Sequence, residues 1–296
     1  MGLAEWATTL VNAMTWAMAT FLVAAGLTLI FGILHILNFS HGGFFMIGAY
    51  VAFTLLTRLG GANSFSAYLL AACAAAVVVA LLGALVDRVI LQRLRRVEDA
   101  YVLIATYALL LVCEGGTKLI WGLGYQSLQP PSPFEGAVVV GNFAVPAFSL
   151  FVIGAGLAVF AGLEWLLGRT AAGRLIRAVA MDPWTARLLG VNVTRVFAMT
   201  VVAGFALAGL AGGLLLANQS LSPELASVFI IQAFGVIIVG GMGSVRGAFL
   251  GAMLLGLIES VGSYILPDLP GLLFFAALAV ILLWRPQGLL GRERGT

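Results

Sequence analysis

From Ala67 to Val86 the chain runs for twenty residues without a charged side chain. At about 1.5 Å per residue a helix of that length crosses the roughly 30 Å hydrocarbon layer of a bilayer. Only a helix or a closed barrel satisfies its own backbone there, because no water is present to do so. Val196 to Ala217 repeats the pattern. Reading on in this way gives nine apolar runs, at 9–34, 40–57, 67–87, 100–119, 147–168, 196–217, 226–242, 247–265 and 270–284. Three of them, 40–57, 226–242 and 270–284, are short and cross only with tilt or local thinning. The expected fold is therefore an all-α polytopic membrane protein with eight to nine transmembrane helices, in a single domain over 1–296.

Composition agrees. Hydrophobic residues make up 62% of the 296 and charged residues only 9%, where a soluble domain carries about a quarter charged. A water-soluble enzyme, a disordered regulator and a nucleic-acid binder are excluded. The net charge of +3 is too small to point to an anionic partner. Cys73 and Cys113 both sit inside apolar runs, where small soft side chains are ordinary packing. No Lys or Arg precedes Arg58, so the basic start of a signal peptide is missing and the first run itself directs insertion.

Short cytoplasmic loops retain Lys and Arg. Of the 15 basic residues, thirteen fall after the third, fifth, seventh and ninth runs, and only Arg58 and Lys118 on the other side. That bias predicts a cytoplasmic C-terminus and, counting back, an external N-terminus, provided 35–57 is a full crossing instead of a re-entrant piece. The longest external stretch, 121–146, contains Gln129-Pro130-Pro131-Ser132-Pro133. Its prolines and glycines forbid a continuous helix, and it is expected to form a folded cap.

Three regions stand out. The first, Asn38-Phe39-Ser40-His41-Gly42-Gly43, lies between two apolar runs with no charged anchor. Polar loop groups at membrane depth are tolerated when buried in protein or lining a cavity. Asn38, Ser40, His41 and Gly42 are thus candidates for a translocation path; the alternative is a plain turn in which Asn38 or Ser40 caps a helix. The second is the basic loop 168–195. Inside it, Asp182 suits an N-cap, Pro183 the first helical position and Gly190 a left-handed exit. Trp184 and Leu188 share one apolar face at i and i+4, with Arg174, Arg177 and Arg187 nearby. Such a helix is built to dock, either on lipid headgroups or in the cleft of a cytoplasmic partner. The third region is a set of small-residue ladders, Gly204/Ala208/Gly212, Gly154/Ala158/Gly162 and Gly247/Gly251, which allow close helix contact in lipid.

Intramembrane charge is scarce. Glu259 is the deepest, and an acid there is expected to face the protein interior or a cavity. Glu114 and Lys118 stand one turn apart in the favourable order for pairing. No P-loop signature is present, and His35 and His41 have no nearby carboxylate or cysteine to form a metal site. No cofactor is implied.

With these regions in view, the chain resembles the permease subunits of ATP-binding-cassette importers for branched-chain amino acids. The matching stretches include Gly26-Leu27-Thr28-Leu29-Ile30-Phe31-Gly32, Asn38-Phe39-Ser40-His41-Gly42 and Met46-Ile47-Gly48-Ala49-Tyr50. They continue with Gly173-Arg174-Leu175-Ile176-Arg177, Ala186-Arg187-Leu188-Leu189-Gly190 and Gly240-Gly241-Met242-Gly243-Ser244, and end at Arg285-Pro286-Gln287-Gly288. The resemblance implies a type II importer-like bundle in a bacterial inner membrane. It implies a second homologous permease, two cytoplasmic ATPases and a periplasmic or lipid-anchored binding protein as partners. It also makes Pro183–Leu189 look like the coupling helix that seats in an ATPase groove. Related members look to carry urea, short amides or aromatic acids, so the solute stays open. An ion-coupled secondary carrier and a membrane-embedded enzyme are the competing classes. A lack of clustered acids and histidines counts against both.

Overall fold

A computed structural model describes residues 3–60, 64–94, 97–140, 143–269 and 271–291. Every apolar run is a helix. α1 (Leu3–Leu34) turns into α2 (Ser40–Arg58), and α3 (Phe65–Val86) continues through a π-helical turn at Asp87–Leu91 into the short α4 (Gln92–Leu94). α5 (Asp99–Trp121) precedes a hairpin of β1 (Ala137–Val140) and β2 (Phe143–Pro146), which leads directly into α6 (Ala147–Arg169). There follow α7 (Ala171–Met181), α8 (Pro183–Leu188), α9 (Val193–Leu215), α10 (Leu225–Gly240), α11 (Val245–Ile265) and α12 (Leu272–Trp284).

Seven of the described helices are long and apolar enough to cross a membrane, and α10 and α12 are shorter apolar helices of 16 and 13 residues. The protein is a polytopic all-α membrane protein. α2 has 19 residues, about 28 Å of helix, enough for a crossing.

The bundle has a basic end and a cap end. At the basic end lie α7, α8 and the turns 35–39, 241–244 and 285–291; Arg246 of α11 pairs there with Glu164 of α6 at 2.6 Å. Arg95, Arg96, Arg292 and Arg294, which contribute to the sidedness argument, lie outside the described residues. At the cap end, Gln126 and Leu221 exchange backbone hydrogen bonds of 3.0 and 2.7 Å, and Ala137–Val140 pairs antiparallel with Phe143–Pro146. The loop thus folds over the α9–α10 connection.

α1 and α9 form the middle of the bundle. α1 packs on α6, α9, α10 and α11, while α9 packs on α1, α2 and α3. Phe21, Val23, Ala24, Ala25 and Leu27 of α1 are fully buried, whereas α3 turns Leu70, Val77, Leu81 and Leu85 outward. Lipid tails are as apolar as leucine, so close packing and buried hydrogen bonds hold such helices together. A Cβ added at Gly48 would lie 2.6 Å from Gly209 Cα, and the α2–α9 contact depends on its absence. The Tyr68 hydroxyl donates to Leu214 O and accepts from Ala217 N, both at 3.1 Å. It satisfies a carbonyl and an amide where α9 stops.

Glu114 accepts a hydrogen bond from Ser227 Oγ of α10 at 2.6 Å. This cross-helix contact stands in place of the expected pairing with Lys118, and it explains how a membrane-level acid is kept satisfied.

Candidate translocation path and coupling surface

Asn38, Ser40 and His41 are 1%, 0% and 0% exposed. Asn38 Oδ1 accepts from the Ser40 backbone N–H at 3.1 Å and from its hydroxyl at 2.6 Å. Those two bonds fasten the first residue of α2 from the position before its N-cap, which is Phe39 and makes no side-chain cap bond. His41 Nε2 lies 3.1 Å from Val23 O of α1, and its ring lies nearly parallel to that of Phe205, with the centroids 6.1 Å apart. Phe39 packs edge-on against Phe234 at 4.7 Å and Tyr107 at 5.9 Å. Gly42 is pressed against α10, where an added Cβ would lie 2.7 Å from Ile230 Cβ. Asn38, Ser40, His41 and Gly42 are therefore packed inside the bundle, and none of them is among the residues lining the two open clefts toward the cap end.

These two bonds make Asn38 a stabilising residue. Replacing Asn38 by Ala removes one acceptor that serves two donors, and the purified complex is expected to lose about 1 kcal/mol of stability. Thermal unfolding and import per assembled complex, measured on the same preparations, check this. Unchanged stability with lost import would place Asn38 in the path instead.

Two open clefts lie toward the cap end. One, of about 350 Å³, is lined by Asn12, Thr15 and Trp16 of α1, Ser149 of α6, Asn218 and Gln219 of the α9–α10 connection, and Gln232 of α10. The other, of about 370 Å³, shares Asn12 and Trp16 and adds Glu259, Ser260 and Ser263 of α11. Glu259 is half-buried there, and its Oε1 accepts from the Gly271 backbone N–H at 3.2 Å. Of the two surroundings expected for Glu259, protein interior or cavity, it stands at a cleft. The amides were the unread signal: Asn12 and Gln232 interrupt apolar runs as plainly as any charge does.

At the basic end, Asp182 opens α8. Its Oδ1 accepts from Trp184 N at 2.9 Å and Thr185 N at 3.1 Å, and Pro183 occupies the first helical position. Hydrogen bonds from Thr185, first its hydroxyl and then its backbone N–H, hold the Asp182 carboxyl below its ordinary value. Gly190 leaves the helix at φ +85°. The outward face carries Trp184, 67% exposed, and Leu188, 71% exposed, with Arg187 also exposed. The inward face is Ala186, which joins Ile33, Val179 and Val193 in a small separate core. Arg174 is exposed on α7, and Arg177 Nη1 donates to Leu167 O, tying α7 back to α6. The α7–α8 platform is therefore fixed to the last turn of α1, one turn before the buried Asn38.

The family model described as the branched-chain amino acid transport system / permease component matches residues 9–283. The chain belongs to that permease family. It is 32% identical to the high-affinity branched-chain amino acid transport system permease protein BraD of Pseudomonas aeruginosa, over 96% of this chain and 95% of BraD. It is 31% identical to LivH of Escherichia coli K12, over 95% of this chain and 94% of LivH, and 29% identical to LivM of Salmonella typhimurium, over 96% of this chain and 70% of LivM. Both carry the same system name as BraD. No solved structure matches the permease. Among the described residues no group of three His, Cys, Asp or Glu is placed to hold a metal ion.

Proposed function

We propose that the permease is one membrane-spanning subunit of an ATP-driven importer for branched-chain amino acids. The observation that carries this reading is the family match over residues 9–283. The relatives support a second permease as partner, because Salmonella typhimurium has both a LivH and a LivM that carry the same transport-system name. The permease carries no P-loop of its own, so ATP hydrolysis falls to two cytoplasmic ATPases, and a periplasmic or lipid-anchored binding protein delivers the solute. α8, with Arg174, Arg177 and Arg187 around it, is the coupling surface for one ATPase. On this reading the basic end is cytoplasmic and the cap end external, in the inner membrane of a bacterium.

The test is isolation of the tagged permease with its natural partners. Two P-loop ATPases and a second permease are expected to co-purify. The complex in proteoliposomes is expected to import leucine, isoleucine and valine only with ATP inside and binding protein outside. Uptake driven by an ion gradient without ATP would sink the reading, and import restricted to urea, short amides or aromatic acids would correct the solute. A cysteine at Gln129 is expected to react with an impermeant thiol reagent outside cells, and one at Thr185 is not.

A further inference from the structure

We infer that the cleft between α1, α6 and α10 is the outer solute site of the permease, and that its amides select solutes of zero net charge. This rests on the transport reading above. α10 has only 16 residues, about 24 Å of helix against a hydrocarbon layer of about 30 Å. Asn218 and Gln219 of the connection before it line the cleft together with it. Gln232 stands in the middle of α10 and Asn12 opposite it on α1. Neither side chain makes a hydrogen bond to another described residue. Asn12 is exposed and Gln232 half-buried, and an unpartnered amide beside apolar wall is satisfied by water or by a solute.

The lining chemistry sets the class of solute. Asn12, Asn218, Gln219 and Gln232 each present a carbonyl that accepts from an ammonium group and an NH2 that donates to a carboxylate. Trp16 and Phe229 supply apolar wall for a side chain. Among the described residues no charged side chain lines this cleft, and Glu259 in the neighbouring cleft is turned to Gly271. A zwitterion meets both of its charged ends with neutral dipoles, while a cation or anion meets no counter-charge to offset its dehydration. Holding by dipoles instead of ion pairs is also weak, which suits a site that passes its solute onward.

Four substitutions in the assembled complex test this: Gln232→Glu, Asn12→Asp, Gln232→Met and Gln232→Cys. The first two are isosteric and add one charge. Leucine import per complex is expected to fall by roughly tenfold or more, equivalent to one factor of ten in binding, with the ATPases still bound. Gln232→Met removes the dipole at similar volume and is expected to slow import less. In a background lacking Cys73 and Cys113, the thiol of Gln232→Cys is expected to react with a small impermeant reagent added outside. Leucine-loaded binding protein is expected to slow that reaction. Parental import in both acidic variants overturns the inference, and so does a thiol at position 232 that the reagent cannot reach. The thiol decides the matter even if an acidic variant fails to assemble. Import of a singly charged solute by the parent complex as fast as leucine also overturns it. If the parent imports another neutral solute but no branched-chain amino acid, the substrate reading fails and the inference stands.

Discussion

Trp184→Ala or Leu188→Asp is expected to abolish ATP-driven import while leaving the membrane bundle assembled. The two side chains are 67% and 71% exposed on α8, so neither change opens a cavity in the protein. The face that does hold α8 in place is Ala186, 4% exposed against Ile33, Val179 and Val193, and it is untouched. Truncating an aromatic anchor at an interface centre commonly costs about 2 kcal/mol or more, and burying an unpaired carboxylate there costs at least as much. A loss of about 2 kcal/mol is roughly 30-fold in affinity for the ATPase. The readouts are co-purification of the ATPases and hydrolysis stimulated by loaded binding protein. If both variants assemble and transport like the parent, α8 is a lipid-surface element and the arginines around it meet headgroups.

That helix is also where the sequence is most legible. Asp182, Pro183 and Gly190 each do a local job within a few residues, so capping rules place both ends of α8 before any tertiary contact is known. The seven long apolar helices and the two shorter ones, α10 and α12, are legible for a similar reason: crossing a bilayer is a requirement of length and polarity within one segment. α7 was readable but hidden inside a loop marked by its charges. Thr170 caps it by accepting from Gly173 N at 3.0 Å, and Ile176 and Val179 recur three apart on the face that packs below α8. The cleft was not legible as a cleft. Its lining comes from α1, α6, α10 and the link before α10, and only the fold brings Asn12 to Gln232. Glu114 illustrates the same limit: spacing suggested Lys118 one turn on, and the bundle supplied Ser227, more than a hundred residues away.

Small-residue spacing marks tight helix contacts at Gly204, Gly212, Gly247 and Gly251 but not at Gly154 and Gly162, and the contrast yields the second large effect. Gly212 and Gly154 stand in ladders of identical form, yet an added Cβ at Gly212 would overlap the Phe45 carbonyl oxygen of α2, while one at Gly154 or Gly162 meets nothing within 4 Å. Periodicity marks a stripe of small residues but not which stripe faces a neighbour. Gly212→Val is therefore expected to leave no assembled permease, since α2 and α9 must separate along buried lengths that include Phe45 and Phe205, both 1% exposed or less. Overpacking of this kind costs about 1 to 3 kcal/mol even where side chains can yield, and here the obstacle is backbone. Gly42→Leu is expected to behave alike, because the Ala226 carbonyl and Ile230 of α10 occupy the space; its loss of import would come from lost assembly and not from a blocked path. Gly154→Val and Gly162→Val are expected to assemble like the parent, since valine is a few tenths of a kcal/mol better than glycine in a helix. Size-exclusion profiles and thermal unfolding of the four variants in detergent decide it. A stable, monodisperse Gly212→Val protein would mean that the α2–α9 contact is not what holds the bundle closed, and a Gly154→Val protein that fails to assemble would mean that this face of α6 packs against a partner in the assembled complex.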